Sequence, residues 1–126
     1  IKQLKKHYKK KIILIDRFVD STIAYQHYGF GVNIKLIKFL NDFLLKDFKV
    51  DYTFLNIVSK KNMINRLKLR KSLNRYDKFN SKFYENVQRG FLLIANKKKR
   101  KYKIINSNLD IKLNQNIIIK KINTLL

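Results

Sequence analysis

The chain has 126 residues, 45% of them hydrophobic and 13% aromatic against 30% charged, enough for one compact domain with a core and too little for two independent domains. With no cysteine, a disulfide framework, a Cys-ligated zinc site and a thiol nucleophile are excluded. Thirty Lys and Arg against eight Asp and Glu give a net charge of +22, which invites an anionic partner.

The make-up of that charge tempers the invitation. Lysine supplies 24 of the 30 basic residues, and Lys, Ile and Asn together make up 55 of the chain, as in a coding sequence biased toward A and T. Clusters at 9–11 and 97–101 are read as solvated turns, with phosphate contact as the alternative. Arginine says more, because a planar fork that grips phosphate at two points is not replaced by a lysine point charge. Apolar runs reach only four or five residues, at 12–15 and 91–95, against about 20 for a bilayer span. With no leader pattern legible either, the expectation is a cytoplasmic protein without a membrane partner.

In chain order, residue 1 is Ile, and residues 1–8 read as the end of a helix already under way, as though the front were cut. The run Ile12-Ile13-Leu14-Ile15 suits a strand buried on both faces of a parallel sheet, with Asp16 and Arg17 at its carboxyl end. Residues 20–28 are helix-compatible and close at Gly29-Phe30-Gly31. Asn33 is placed to cap a helix over 34–45, apolar at Ile34, Leu36, Ile37, Phe39, Leu40, Phe43 and Leu44. A strand follows at 52–58, then Ser59 as the cap of a helix to about residue 71.

Residues 72–80 are polar and aperiodic, as in a mobile loop. A long helix over 81–98 carries Phe83, Val87, Phe91 and Ile94 on one side, before a strand at 102–105 and a last helix over about 115–125. Strands alternating with helices predict parallel β-α-β units. Ligands in such sheets bind outside the carboxyl ends of the strands, where Asp16 and Arg17 stand.

The informative segment runs from Asp16 to Gln26. Ser21, Thr22, Tyr25 and Gln26 are spaced to share a helical face that could hydrogen-bond a planar polar ring. Spacing alone equally allows Ser21 and Thr22 to cap the helix while Tyr25 fills core. His7 and His27 have no acid or metal-ligand companion at useful spacing and are assigned to surface or packing.

Asp16-Arg17-Phe18, Ser21 and Ala24-Tyr25-Gln26 together resemble the signature of the thymidylate kinase family. The likeness continues through Val50-Asp51-Tyr52-Thr53-Phe54-Leu55, Asn74-Arg75-Tyr76-Asp77 and the stretch from Phe83 to Ala95. The resemblance implies an α/β fold, a P-loop-kinase-like parallel sheet with flanking helices, here incomplete at its N-terminal side. Residues 1–126 would be one partial domain, with a lid around 66–80. The implied activity is transfer of the ATP γ-phosphoryl group to dTMP, with Mg²⁺, by a homodimer. Arg17 would hold the dTMP phosphate and Asp16 would organise phosphates and, indirectly, the metal. Thr22 and Gln26 would hydrogen-bond thymine with Ser21 in support, and Tyr25 would lie beside the deoxyribose. Arg66, Arg70 and Arg75 would close over ATP, although Arg66 and Arg70 also fit a solvated helix face.

The chain departs from the family at Phe30, Ile57, Asn74, Asp77 and Gln88, so roles tied to those side chains are not carried over. Arg89 and Arg100 stay unassigned. No G-x-x-x-x-G-K-[ST] occurs, and the glycines are Gly29, Gly31 and Gly90, so the phosphate cradle of a P-loop is not in these residues. The expectation is that this polypeptide alone is poorly stable and catalytically silent. The reading from a different class is a basic nucleic-acid-binding module exploiting the +22 charge and interleaved aromatics. It is disfavoured because most of the charge is lysine of the kind a biased coding sequence supplies, and a related deoxynucleoside kinase is disfavoured by the Ala-Tyr-Gln triplet.

Overall fold

The structure is a computed structural model that describes residues 6–8, 10–45, 48–72 and 80–126. The motif segment opens with one helical turn, α1 (Val19–Thr22), which runs into a π-helix at Ile23–Gly29. Then come α2 (Ile34–Leu45), β1 (Thr53–Ile57), α3 (Lys60–Lys68), α4 (Ser81–Lys97), a 3₁₀ turn at Lys99–Lys101, β2 (Tyr102–Asn106) and α5 (Ile111–Asn123).

Local chemistry sets most of these boundaries. Asn33 Oδ1 accepts from the Lys35 amide at 2.8 Å, Ser59 Oγ from Asn62 at 3.3 Å and Asn80 Oδ1 from Phe83 at 2.9 Å. Each answers a helix-start N–H that has no partner within its own helix. The last helix starts four residues before the expected 115 because Asp110 Oδ1 accepts from the Lys112 and Leu113 amides at 2.8 and 3.2 Å. In α3 the helix stops at Lys68 rather than near 71, closed by the Leu69 amide on the Asn65 carbonyl at 3.3 Å and the Arg70 amide on Leu67 at 3.1 Å. The loop expected over 72–80 falls for the most part outside the described residues.

β1 and β2 pair in parallel, from Thr53 opposite Tyr102 to Ile57 opposite Asn106, and α3 and α4 lie in the connection between them. This is the expected β-α-β arrangement. The strand expected at 12–15 is not formed. Those residues belong to no regular element, and Ile12 and Leu14 are 66% and 84% exposed rather than buried on two faces. An apolar run becomes a strand only where a neighbouring backbone answers its N–H and C=O groups; β1 and β2 pair with each other and with no third strand among the described residues.

α4 is the spine of the core. Its Phe83 and Val87 pack with Ala24 of the π-helix, while Ile94 and Ala95 pack with Leu55 of β1 and Tyr102 of β2. The approach is close enough to exclude side chains. A methyl group at Gly90 would lie 2.5 to 2.8 Å from Cδ2, Cγ and Cβ of Tyr28. The helix that carries the motif is thus pressed along α4, which in turn leans on the sheet.

Candidate active site

The site begins with a strained residue. Arg17 has φ +59°, the one non-glycine with positive φ among the described residues. For an L-residue other than Asn or Asp this left-handed backbone costs about 1–2 kcal/mol and persists only where the surroundings impose it. The turn that follows is closed by the Ser21 amide on the Phe18 carbonyl at 2.9 Å. α1 then starts at Val19 with Phe18 as N-cap and no side-chain capping bond. The alternative in which Ser21 and Thr22 cap the helix is therefore not realised.

From Ile23 onward the winding is π rather than α. The Phe30 amide reaches back five residues to the Tyr25 carbonyl at 3.0 Å, and the Val32 amide meets the Gln26 carbonyl at 2.8 Å. His27 Nδ1 lies 2.9 Å from the Val32 carbonyl, so this histidine secures the loop. Gly31, at φ +77°, supplies the left-handed step. Single-turn π segments concentrate at functional sites. Here the wider winding changes which side chains stand together.

Arg17, Ser21 and Thr22 line one cleft of about 410 Å³, with Phe18, Asn41 and Leu44 among its other walls. Tyr25 turns toward α4, its ring edge-on to Phe83 and Phe91 at centroid distances of 6.1 and 6.3 Å. Its hydroxyl still meets Arg17: Nη2 donates to Oη at 3.4 Å, and the guanidinium carbon stands 5.3 Å from the ring centroid. Tyr25 thus serves packing and Arg17 at once. Gln26 is half-buried and Asp16 exposed; neither lines this cleft.

Of the three arginines expected near the lid, Arg66 and Arg70 are among the described residues. Arg66 Nη2 donates to the Ser107 carbonyl at 2.5 Å, tying α3 to the turn after β2. The same turn is held by Asn108, whose Oδ1 accepts from the Ser59 amide at 3.0 Å and from Asn62 Nδ2 at 2.9 Å. Arg70 is exposed just past α3. Arg75, with Asn74 and Asp77, lies outside the described residues.

Sequence reasoning passed over Asp20. Its Oδ2 accepts a hydrogen bond from the Tyr102 hydroxyl, and its Oδ1 lies 3.3 Å from Lys98 Nζ. Burial, then the hydrogen bond to Asp20, then the charge of Asp20 push the Tyr102 phenol well above its ordinary value, while a hydrogen bond with Thr53 pulls the other way. These groups line a second cleft of about 440 Å³, which shares Phe18, Val19, Asn41 and Leu45 with the first. An acid inside the motif of a chain with eight acids was a signal, but its partners are 78 and 82 residues away.

A family model described as thymidylate kinase matches residues 2–118. The thymidylate kinase of Wolbachia pipientis wMel is 44% identical over 85 residues, 68% of this chain and 41% of that protein. That of Ehrlichia chaffeensis is 41% identical over 97 residues, 77% of this chain and 46% of that protein. A crystal structure of thymidylate kinase from Ehrlichia chaffeensis superposes with a TM-score of 0.66 at 35% identity, covering 91% of this chain and 51% of the other. The chain spans about half the length of the curated relatives it matches.

Proposed function

Because the chain belongs to the thymidylate kinase family, we propose that the protein transfers the γ-phosphoryl group of ATP to dTMP, giving dTDP. The observation that carries this reading is Arg17, held with a left-handed backbone at a cleft that also offers the hydroxyls of Ser21 and Thr22. A guanidinium grips a phosphate by two parallel charge-assisted hydrogen bonds. A phosphate at Arg17 leaves the nucleoside to run toward the hydroxyls one turn on, with Thr22 on the base and Ser21 in support; Gln26, half-buried and outside this cleft, would have to turn toward it to meet the base. Tyr25, fixed by Phe83 and Phe91, stands beside the sugar and leaves no room for a 2′-hydroxyl.

The chain's own contribution to phosphoryl transfer is then positioning and charge neutralisation, with no covalent intermediate. Arg66, Arg70 and Arg75 belong to the part that closes over ATP; Arg66 would have to exchange its bond to the Ser107 carbonyl for phosphate. Among the described residues no group of three or more His, Cys, Asp or Glu side chains could hold a metal ion. Mg²⁺ bound with ATP would neutralise phosphate charge, with Asp16 as an indirect contact, and the roles above do not depend on it. The protein acts as a homodimer in the cytoplasm, with the apolar face of α2 as part of the subunit contact. No helix of the described residues is long and apolar enough to cross a membrane.

The test is Arg17→Ala in the intact protein. The expected outcome is a fall of at least 100-fold in kcat/KM for dTMP, with the KM for ATP within about threefold of wild type. Unchanged use of dTMP would remove Arg17 from the site and the reading with it.

A further inference from the structure

The geometry points to Asp20 as a positioning residue for the nucleotide site: its carboxylate pins the start of the motif helix to the sheet and thereby sets where the Arg17 guanidinium stands. This rests on the reading of Arg17 as the phosphate ligand, and assigns the control of that ligand to a side chain on the far side of the turn.

Both oxygens of Asp20 are engaged. One takes the Tyr102 hydroxyl at the first residue of β2, and the other takes Lys98 at the end of α4, 3.3 Å away. The carboxylate is only 16% exposed and Tyr102 only 9%, so the Tyr102 bond is shielded from competing water, while the Lys98 ammonium stays half exposed and adds less. One side chain thus joins α1, α4 and β2.

The route from Asp20 to Arg17 is short and stiff. Phe18 and Val19, between them in sequence, line both the cleft of Asp20 and that of Arg17, so a shift of the turn at one is felt at the other. The Ser21 amide on the Phe18 carbonyl closes the turn, and no side-chain cap anchors it at Phe18. A left-handed arginine needs an external constraint. Its own side-chain contacts, 3.4 Å to the Tyr25 hydroxyl and 5.3 Å to the ring centroid, hold the end of the side chain rather than the backbone of the turn. Asp20 is a polar anchor on this turn among the described residues, and moving it moves the guanidinium.

The experiment is a double-mutant cycle in the intact protein, combining Asp20→Asn, and separately Tyr102→Phe, with Arg17→Ala, and measuring kcat/KM for dTMP alongside the KM values for dTMP and ATP. In the wild-type background each substitution is expected to raise the KM for dTMP five- to tenfold while the KM for ATP stays within twofold. In the Arg17→Ala background the same substitutions are expected to change kcat/KM for dTMP by less than twofold, because the group they position is gone. Full loss in both backgrounds, or no loss in the wild type, overturns the inference while leaving the dTMP site standing. Should Asp20→Asn fail to fold, Tyr102→Phe carries the cycle, since it removes one hydroxyl and keeps the packed ring. If Arg17→Ala alone leaves dTMP use intact, the underlying reading fails and the inference falls with it.

Discussion

Gly90 and Tyr102 are residues whose identity is forced by what touches them. Gly90 sits inside α4, where replacing glycine by alanine ordinarily gains about 1 kcal/mol of helix stability. Here the added methyl would stand 2.5 to 2.8 Å from the base of the Tyr28 side chain. Tyr28 belongs to the π-helix, and atoms so near its backbone cannot swing aside without moving that helix. Overpacking of this kind costs about 1–3 kcal/mol, so Gly90→Ala is expected to destabilise the protein by about 1 kcal/mol net in a urea titration. A gain in stability would mean that the helices separate freely. Tyr102 makes a prediction about pH. Its folded phenol binds its proton more tightly than the unfolded one, so the associated stability is complete below about pH 10, the ordinary phenol value, and is lost as pH rises above it. Tyr102→Phe is expected to flatten that alkaline decline; parallel denaturation curves at pH 9 and pH 10.5 for the two proteins read the difference directly.

Helix boundaries divide by the range of the interaction that sets them. Asn33 and Ser59 were legible as caps because a short polar side chain before a helical stretch answers amides two or three residues on. The start of α5 obeys the same rule through Asp110, but the weak apolar pattern at 111–114 hid it. Asp110→Ala removes the acceptor for two amides and is expected to cost about 1 kcal/mol, seen as a lower urea midpoint with loss of helical circular dichroism. Replacement by Ser is expected to recover most of that loss. Other features lie beyond local reading. A π-helix differs from an α-helix by one residue in the hydrogen-bond ladder, and nothing in Ile23 to Gly29 announces which ladder wins. The face expected from α spacing therefore separated, with Ser21 and Thr22 in a cleft and Tyr25 against α4. The run at 12–15 is apolar enough for a strand, yet strand formation depends on a neighbour that periodicity does not reveal. Asp20 was missed for the same reason, since its partners come from the far end of the chain.

At the scale of the molecule, the parallel pairing of β1 and β2 and the helices between them follow from the alternation of patterns along the chain, but apolar surface is distributed unevenly. On α2 only Ile37 is buried, while Leu36, Phe39, Leu40, Phe43 and Leu44 are 46–74% exposed, and Phe39 stacks on Phe43 with centroids 6.5 Å apart. Scattered exposed apolar residues are ordinary, whereas a contiguous stripe on one helix marks a surface that something covers. The net charge of +22 opposes indiscriminate association, since like-charged molecules repel until a specific apolar contact overcomes that repulsion. In a homodimer built on α2 the contact would be the same patch on both subunits. Phe39→Glu with Phe43→Glu places two carboxylates in that patch and is expected to convert the intact protein from dimer to monomer in sedimentation velocity at micromolar concentration. The same pair on an exposed, uncovered helix would leave the sedimentation coefficient unchanged. Salt distinguishes this contact from one held by opposite charges, because screening weakens ion pairs and leaves apolar association intact, so a dimer built on α2 should persist at about 0.5 M salt.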